Sequence, residues 1–519
     1  MSSSAVSIPP RRSLAFFAAL AMLMVVVSYV FILLLAAACV YLPFLALMRV
    51  SNFQILALFI GGVLVAGSML WALVPRRDKF VAPGLLLERA HHPRLFAELD
   101  NIAAALKEPM PREVYLIGDT NAWVADRGGM MGFGSRRVMG LGLPLLALLN
   151  ISQFRAILAH EFAHYYGGDT KLGPWLHRTQ MAMIRTFQNM GSVGQAMRVA
   201  AMQILYAIVF GILKWYWLFF LRAINFVSRR QEFRADELAC IVAGPQSLVS
   251  GLRTVHGASL GWPAYWSSEL APMLDSGFLP PITGGFSQFM GAETVSKKVE
   301  AGIETEIREG KSDPYDSHPP LRDRIAAAET LPRQSDEEEH KSAWTLLEDG
   351  SATEYAFLVA LNPDMPKDSL KPVSWDEQGN AVVIPMWMQT VTEYAPLLQG
   401  MTIGSLFDSL GKVPEIAPKV RDPEGMLLTP EQRVERARSL LGSAVGLALV
   451  LNGWKLNAGP GVFHLDKDGE RLDPFKVTRQ LCDGTLRNDE WTTRCQKLGI
   501  GDIPLAFLEK EAASHSRQS

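Results

Sequence analysis

The sequence predicts a mainly α-helical membrane protein with a small β-sheet and a separate α+β region towards the C-terminus. Three observations carry this expectation. Two long uncharged apolar runs open the chain, a helical repeat surrounds a pair of histidines near its middle, and a charged, proline-marked stretch near residue 331 precedes a new set of apolar segments. The 519 residues are 49% hydrophobic and 20% charged, which leaves room for several cores and sits badly with a wholly soluble or disordered chain. The 50 basic and 52 acidic residues nearly cancel. With no long basic tract carrying interleaved aromatics, nucleic acid is not an expected partner. Cys39, Cys240, Cys482 and Cys495 form no CxxC pair, so neither a disulfide framework nor a thiolate metal site is expected, and the usage suits a reducing compartment.

Residues 13–48 run 36 positions without a charge, and residues 50–75 another 26, separated by Arg49 alone. Each run is long enough to cross a hydrocarbon core, and Pro43 with the short stretch around Arg49 and Asn52 is expected to supply the turn of a transmembrane hairpin. Arg11 and Arg12 precede the pair, and Arg76, Arg77 and Lys79 follow it. The positive-inside rule therefore places both ends in the cytoplasm, with residues 1–12 as a tail, in a plasma membrane of the bacterial type. A cleaved signal peptide is disfavoured because the first run is too long and a second span follows at once. The AAAC at residues 36–39 lacks the leucine of a lipoprotein cleavage box.

The chemistry lies in NISQFRAILAHEFAHYYGG, residues 150–168. Phe154, Ile157, Leu158 and Phe162 recur at helical spacing, Ser152 is placed as an N-cap, and two glycines close the segment. On such a helix His160 and His164 leave one face a turn apart and can share one metal ion, with Glu161 beside the site. This is the HExxH arrangement of zinc peptidases, in which a metal-acidified water attacks a carbonyl while the carboxylate takes its proton. A third ligand is needed. SRRQEFRADELAC, residues 228–240, again reads as a helix, with Glu232 and Asp236 four apart, so that one can bind metal while the other orients a ligand imidazole.

HEFAH, the later EFRAD and then SHPPLRDRI at residues 317–325 together resemble the membrane zinc metallopeptidases that include the HtpX heat-shock proteases and the CAAX prenyl endopeptidases. The resemblance spans roughly residues 80–330. It implies a gluzincin-like peptidase domain with one Zn2+ per chain, held by His160, His164 and Glu232, with Glu161 as general base and Asp236 as the acidic residue one turn beyond the glutamate ligand. It further implies an edge strand along the cleft in GDTNAWVAD, where Asn121 helps hold substrate or oxyanion. His318 would lie near the metal and stabilise the tetrahedral intermediate, and Arg324 would sit on a closing helix as a supporting residue. On residues alone Asn121 also reads as a turn residue, and His318 as a helix-entry residue. Asp169 reads either as a partner of a ligand histidine or as a solvated cap. Gly128, Gly129, Gly132 and Gly134 lack a following GK[ST] and read as a cleft-edge loop.

Between His164 and Glu232, residues 199–228 form a third apolar region, broken by Lys214 and Arg222. A single crossing would put the third ligand on the opposite side from the histidines. The segment is therefore expected to be interfacial or re-entrant, or half of a hairpin whose other half is the stretch near residues 181–197. This gives a peptidase domain over residues 76–330, with its membrane-associated segment near 199–228. Residues 331–342, containing PRQSDEEEHK, read as a linker and 343–519 as an accessory domain. In that domain, 343–361 and 430–451 are periodic like helices, while 382–388 and 463–472 look like strands, and Cys482 and Cys495 are expected as buried thiols.

The expected activity is a membrane-anchored zinc endopeptidase facing the cytoplasm, hydrolysing protein or peptide substrates, membrane proteins among them, in quality control at the lipid bilayer. The alternatives are a CAAX-type processing peptidase, disfavoured by the small number of clear spans, and a non-catalytic zinc-binding scaffold, which would have no need of Glu161 beside an open metal position.

Overall fold

The computed structural model describes residues 12–506 apart from 51, 75–78, 130–133, 166–172, 197–198, 312, 314, 317, 333–338, 367–368 and 422–426. The chain forms two compact units, one of Met1–Leu260 with Lys298–Asp364 and the other of Gly261–Lys297 with Met365–Ser519. Residues 343–364, read from the sequence as the start of the accessory domain, thus count with the first unit. The N-terminal tail as far as Arg11, residues 333–338 of the expected linker, Gly132 and Asp169 lie outside the described residues.

In the first unit the N-terminal runs form α1 (Arg12–Arg49) and α2 (Phe53–Leu73). Pro43 lies inside α1 and makes no turn. The reversal falls after Arg49, where the Asn52 side chain accepts from the backbone N–H of Ile55 at 2.9 Å and starts α2. The third apolar region is the first part of α7 (Ala200–Ala243), an unbroken helix, and α6 (Gly173–Ala196) precedes it. α6 and α7 run antiparallel: Gly194 lies against Tyr206, and Phe187 meets both Phe210 and Trp217. Residues 199–228 thus lie in one arm of an antiparallel helical pair. Helices α1, α2, α6 and α7 share a core that includes Ile32, Cys39, Met69, Met190, Leu213 and Phe220, while α1, α2 and α7 are long and apolar enough to cross a membrane. In apolar surroundings such a bundle is held by close packing and buried hydrogen bonds. The Ser28 and Tyr216 hydroxyls bond at 2.8 Å, and Arg185 and Asn189 of α6 donate to the carbonyls of Ala72 and Ser68 in α2.

Beyond the bundle lies a four-stranded sheet ordered β1–β2–β4–β3, of β1 (Leu85–Leu87), β2 (Glu113–Ile117), β3 (Ala122–Arg127) and β4 (Arg136–Gly142). β2 and β4 run parallel, and β3 pairs antiparallel with β4 alone among the described residues, which makes it an edge strand of the sheet. Gly140 is required here, because a Cβ would stand 2.6 Å from the Trp123 ring lying across it. α3 (Pro93–Leu106) follows the amphipathic pattern, the short α4 (Leu143–Leu148) follows β4, and α5 (Ile151–Ala163), buried over most of its length, packs on both α3 and α7. Phe154, Leu158 and Phe162 of α5 are fully buried, each contributing about 1.5–3 kcal/mol by leaving water.

The start of α5 departs from expectation. Its cap is Asn150, whose side chain accepts from Gln153 N–H at 2.8 Å while the Gln153 side chain accepts from Asn150 N–H at 3.0 Å. Ser152 instead receives the backbone N–H of Glu339 at 2.8 Å. Ile151 N–H donates to Lys341 at 2.9 Å, and Ala343 N–H to Leu149 at 2.9 Å, so the described end of the expected linker is a strap on the start of α5.

The second unit is built around the helix Pro430–Leu451, as expected, capped by Thr429 with Gln432. Residues 463–472 also form the expected strands, within a three-stranded antiparallel sheet of Lys455–Gly459, Val462–Lys467 and Glu470–Leu472. Residues 382–388 are not a strand: a π-helical turn Gly379–Val383 runs into the helix Ile384–Glu393, burying Val382, Trp387 and Val391 on one side. Val382 to Met388 is a short apolar run whose periodicity fits either state. Trp491 is fully buried and donates to the Ile403 carbonyl at 3.0 Å. Cys495 is buried and Cys482 exposed, both as free thiols, so the expectation of two buried thiols holds for one of them.

The α1–α2 contact is tightest at Gly62, where a Cβ would fall 1.9 Å from the Cys39 carbonyl oxygen. Gly62→Ala must push the two backbones apart, at a cost of about 1–3 kcal/mol. The expected outcome is a lower unfolding midpoint of the detergent-purified chain, whereas Gly67→Ala, in open space on the same helix, changes it little.

Candidate metal centre

α5 supplies His160, Glu161 and His164, and α7, lying against it, supplies Glu232 and Asp236 from one face. The Nε2 atoms of the two histidines stand 3.1 Å apart with their rings at 85°. The Glu232 carboxylate reaches both, with Oε1 3.5 Å from His164 Nε2 and Oε2 3.5 Å from His160 Nε2. Ligands at 2.0–2.2 Å around a tetrahedral zinc ion stand about 3.3–3.5 Å apart, so these three side chains match the edges of such a site. The donor chemistry agrees. Glu232 Oε2 is buried without a hydrogen bond of good geometry, as fits an oxygen awaiting a cation.

Around these atoms lies a charged frame. Asp236 Oδ1 is 2.9 Å from His160 Nδ1, which fixes the proton on that nitrogen and leaves Nε2 as a bare acceptor facing His164 and Glu232. Arg324, from the helix Leu321–Glu329, grips Asp236 with both arms of its guanidinium at 2.9 and 2.7 Å, and its Nη1 is 3.7 Å from Glu232 Oε2. His318 lies just before that helix with its side chain largely open to solvent, its Nδ1 3.1 Å from Glu232 Oε2. That contact holds the His318 imidazolium above its usual range.

Among the described residues no cation is bonded to Glu161, and its ligand atom lies within 4.8 Å of those of the two histidines. Burial pushes its carboxyl up to about 7, with His160 opposing the rise. Desolvation, followed by repulsion from His160, lowers His164 to about 4, so its ring is neutral and able to ligate around pH 7.

Seven of the eight residues singled out in the sequence gather here. Asn121 does not: it is exposed at the entrance to β3, and among the described residues its amide bonds to no member of the cluster. Two other residues border the site. Tyr165, next to His164, donates to the Val124 carbonyl of β3 at 2.8 Å, and the Arg137 guanidinium lies 4.0 Å from the centre of its ring. Nothing in the sequence but the neighbourhood of His164 points to them.

Residues 89–331 match the model of peptidase family M48. The chain is 26% identical over 237 residues to a protease HtpX homolog of Chlorobium phaeobacteroides (strain BS1), covering 43% of this chain and 63% of the relative. It is 25% identical over 237 residues to one of Prosthecochloris aestuarii (strain DSM 271 / SK 413), covering 43% and 66%. The chain thus spans a little under two thirds of the length of these curated relatives. No solved structure matches. The segment that carries the candidate metal centre is thus similar to the M48 peptidases and to the HtpX protease homologues.

Proposed function

We propose that the chain is a membrane-anchored zinc endopeptidase that cleaves peptide bonds at the cytoplasmic face of the bilayer, serving membrane-protein quality control. The single observation that supports it best is the convergence of two Nε2 atoms 3.1 Å apart on the buried Glu232 carboxylate, whose two oxygens each lie 3.5 Å from one of them, beside a desolvated glutamate. His160, His164 and Glu232 would hold one Zn2+, which supplies Lewis acidity and a water of lowered pKa.

The remaining chemistry belongs to the chain. Glu161 accepts a proton from the attacking water and returns it to the leaving amine, a task suited to a carboxylate with no cation bonded to it. Asp236 keeps His160 in the ligating tautomer, and Arg324 holds Asp236 ionised in a buried place. His318, charged by its contact with Glu232 and open towards the cleft, can donate to the developing oxyanion. The open edge of β3 can pair with an extended peptide, and Asn121, at its entrance, can bond the peptide backbone from there.

Metal content and cleavage of an unfolded model protein, measured on detergent-purified parent chain and on Glu161→Gln, test the reading. About one zinc per chain is expected in both, with cleavage chelator-sensitive in the parent and reduced about 10²–10⁴-fold in the variant. Zinc in both without cleavage in either would favour the non-catalytic scaffold. Glu232→Ala is expected to lose the metal. Asp236→Asn, which weakens the support of His160 and the pairing with Arg324, should lower zinc affinity about 10–100-fold by competition with a chromogenic chelator.

The orientation has its own test. Val50, exposed at the α1–α2 reversal, and the exposed Cys482 are placed on opposite sides by the positive-inside reading. An impermeant maleimide is expected to label Val50→Cys in intact cells and Cys482 only after lysis. The reverse pattern would overturn the cytoplasmic assignment.

A further inference from the structure

Tyr165 has no part in the chemistry above, yet it bridges the two elements that a peptide cleavage site must keep in register. It follows the ligand candidate His164 directly at the end of α5, and its hydroxyl donates to the Val124 carbonyl midway along β3. β3 is the open edge of its sheet. An edge strand offers unpaired backbone groups at every second residue, so those of Ala122 and Asp126 face as Val124's do. The tyrosine itself is clamped. Arg137, opposite Asp126 in the β3–β4 ladder, covers its ring, and is held in turn by Glu108 at 3.5 Å and Asp126 at 3.9 Å. A side chain with two rotatable torsions, fixed at ring and hydroxyl, therefore sets the distance between the edge strand and the metal helix.

We propose that Tyr165 is a positioning residue that locks β3 to the metal helix and so fixes the register in which an extended peptide is presented to the metal centre. The inference rests on the peptidase reading and specifies how that site selects the bond it cuts. A tyrosine that merely fills space predicts something else: its hydroxyl would matter to stability and not to which bond is cleaved.

Tyr165→Phe removes the hydroxyl and keeps the ring under Arg137. The test compares parent and variant in zinc content, unfolding midpoint, steady-state kinetics on a long peptide and the bonds cut in casein, mapped by mass spectrometry. Zinc content is expected to be unchanged and KM to rise about three- to tenfold, as for loss of one neutral hydrogen bond, with a smaller change in kcat. The cuts are expected to spread to bonds adjacent to the parent's. An unchanged cut pattern with kcat/KM within twofold overturns the inference. So does a loss of activity that only tracks a loss of zinc or of folded protein. A parent that holds zinc and cuts nothing overturns the peptidase reading and this inference with it, a failure visible before any variant is measured.

Discussion

Everything in the first unit converges on the contact between α5 and α7, because two negative side chains of α7 are buried against two imidazoles of α5 and neither could remain there alone. Asp236 and Glu232 bring two carboxylates into the protein, and Arg324 returns one positive charge, bonded to Asp236 through both arms. With neutral ligand imidazoles, the charge left to offset Glu232 is that of the largely exposed His318 imidazolium, 3.1 Å from the Oε2 that lacks a hydrogen bond of good geometry. Buried charge of this kind is costly unless compensated, and a dication is the compensation whose geometry fits. The same bookkeeping explains why the helix Leu321–Glu329 must reach the site from over eighty positions further along the chain than Asp236. Without Arg324, the group that orients His160 would be an unpaired buried anion.

That contact also dictates the path of the chain. α5 delivers the histidines at its C-terminal end, and Glu232 must arrive beside them. The intervening apolar residues could not cross a bilayer once and still do so. The α6–α7 pair goes out and back, using a polar helix for the outward leg. α6 is tolerated beside α2 because Arg185 and Asn189 spend their donors on the carbonyls of Ala72 and Ser68. α7 then runs on without a break from the bundle into the site. The bundle and the ligands therefore share one rigid element, about 1.5 Å per residue along its length. The strap of residues 339–343 completes the frame by bonding the start of α5, while its far end carries the ligands.

Much of this was legible from residue spacing. A four-residue interval on a helix places His160 with His164, and Glu232 with Asp236, whatever the rest of the fold does, so the pairing of these side chains could be read locally. The edge strand at β3 followed from the resemblance. What was not legible depended on partners distant in sequence. Ser152 looked like a cap, but the Glu339 backbone claims its hydroxyl, and Asn150 with Gln153 makes the capping box. Pro43 looked like a turn, yet an apolar helix packed against Gly62 accommodates it. Residues 382–388 were too short for periodicity to separate strand from helix, and burial of one side against the second unit's core decided for helix. Tyr165 was unreadable because its role rests on a carbonyl, which every residue has.

The two glutamates of the site show how environment divides a task between identical groups. Glu232 is ringed by His318, Arg324 and both ligand imidazoles, which hold it ionised and aimed at the space between the Nε2 atoms. Glu161, one position along α5 from His160, is desolvated and has no bonded cation, and its carboxyl is lifted towards neutrality. A carboxylate fixed by cations makes a good ligand and a poor base. One that is desolvated but unpaired can take up and release a proton near neutral pH. Exchanging the surroundings would exchange the roles. The division is set by the path of α7 and by Arg324, features outside the HExxH segment, so that motif alone does not specify the chemistry. The motif offers two imidazoles and a carboxylate, and the α7 contact determines which carboxylate would bind metal and which would be left to carry the proton.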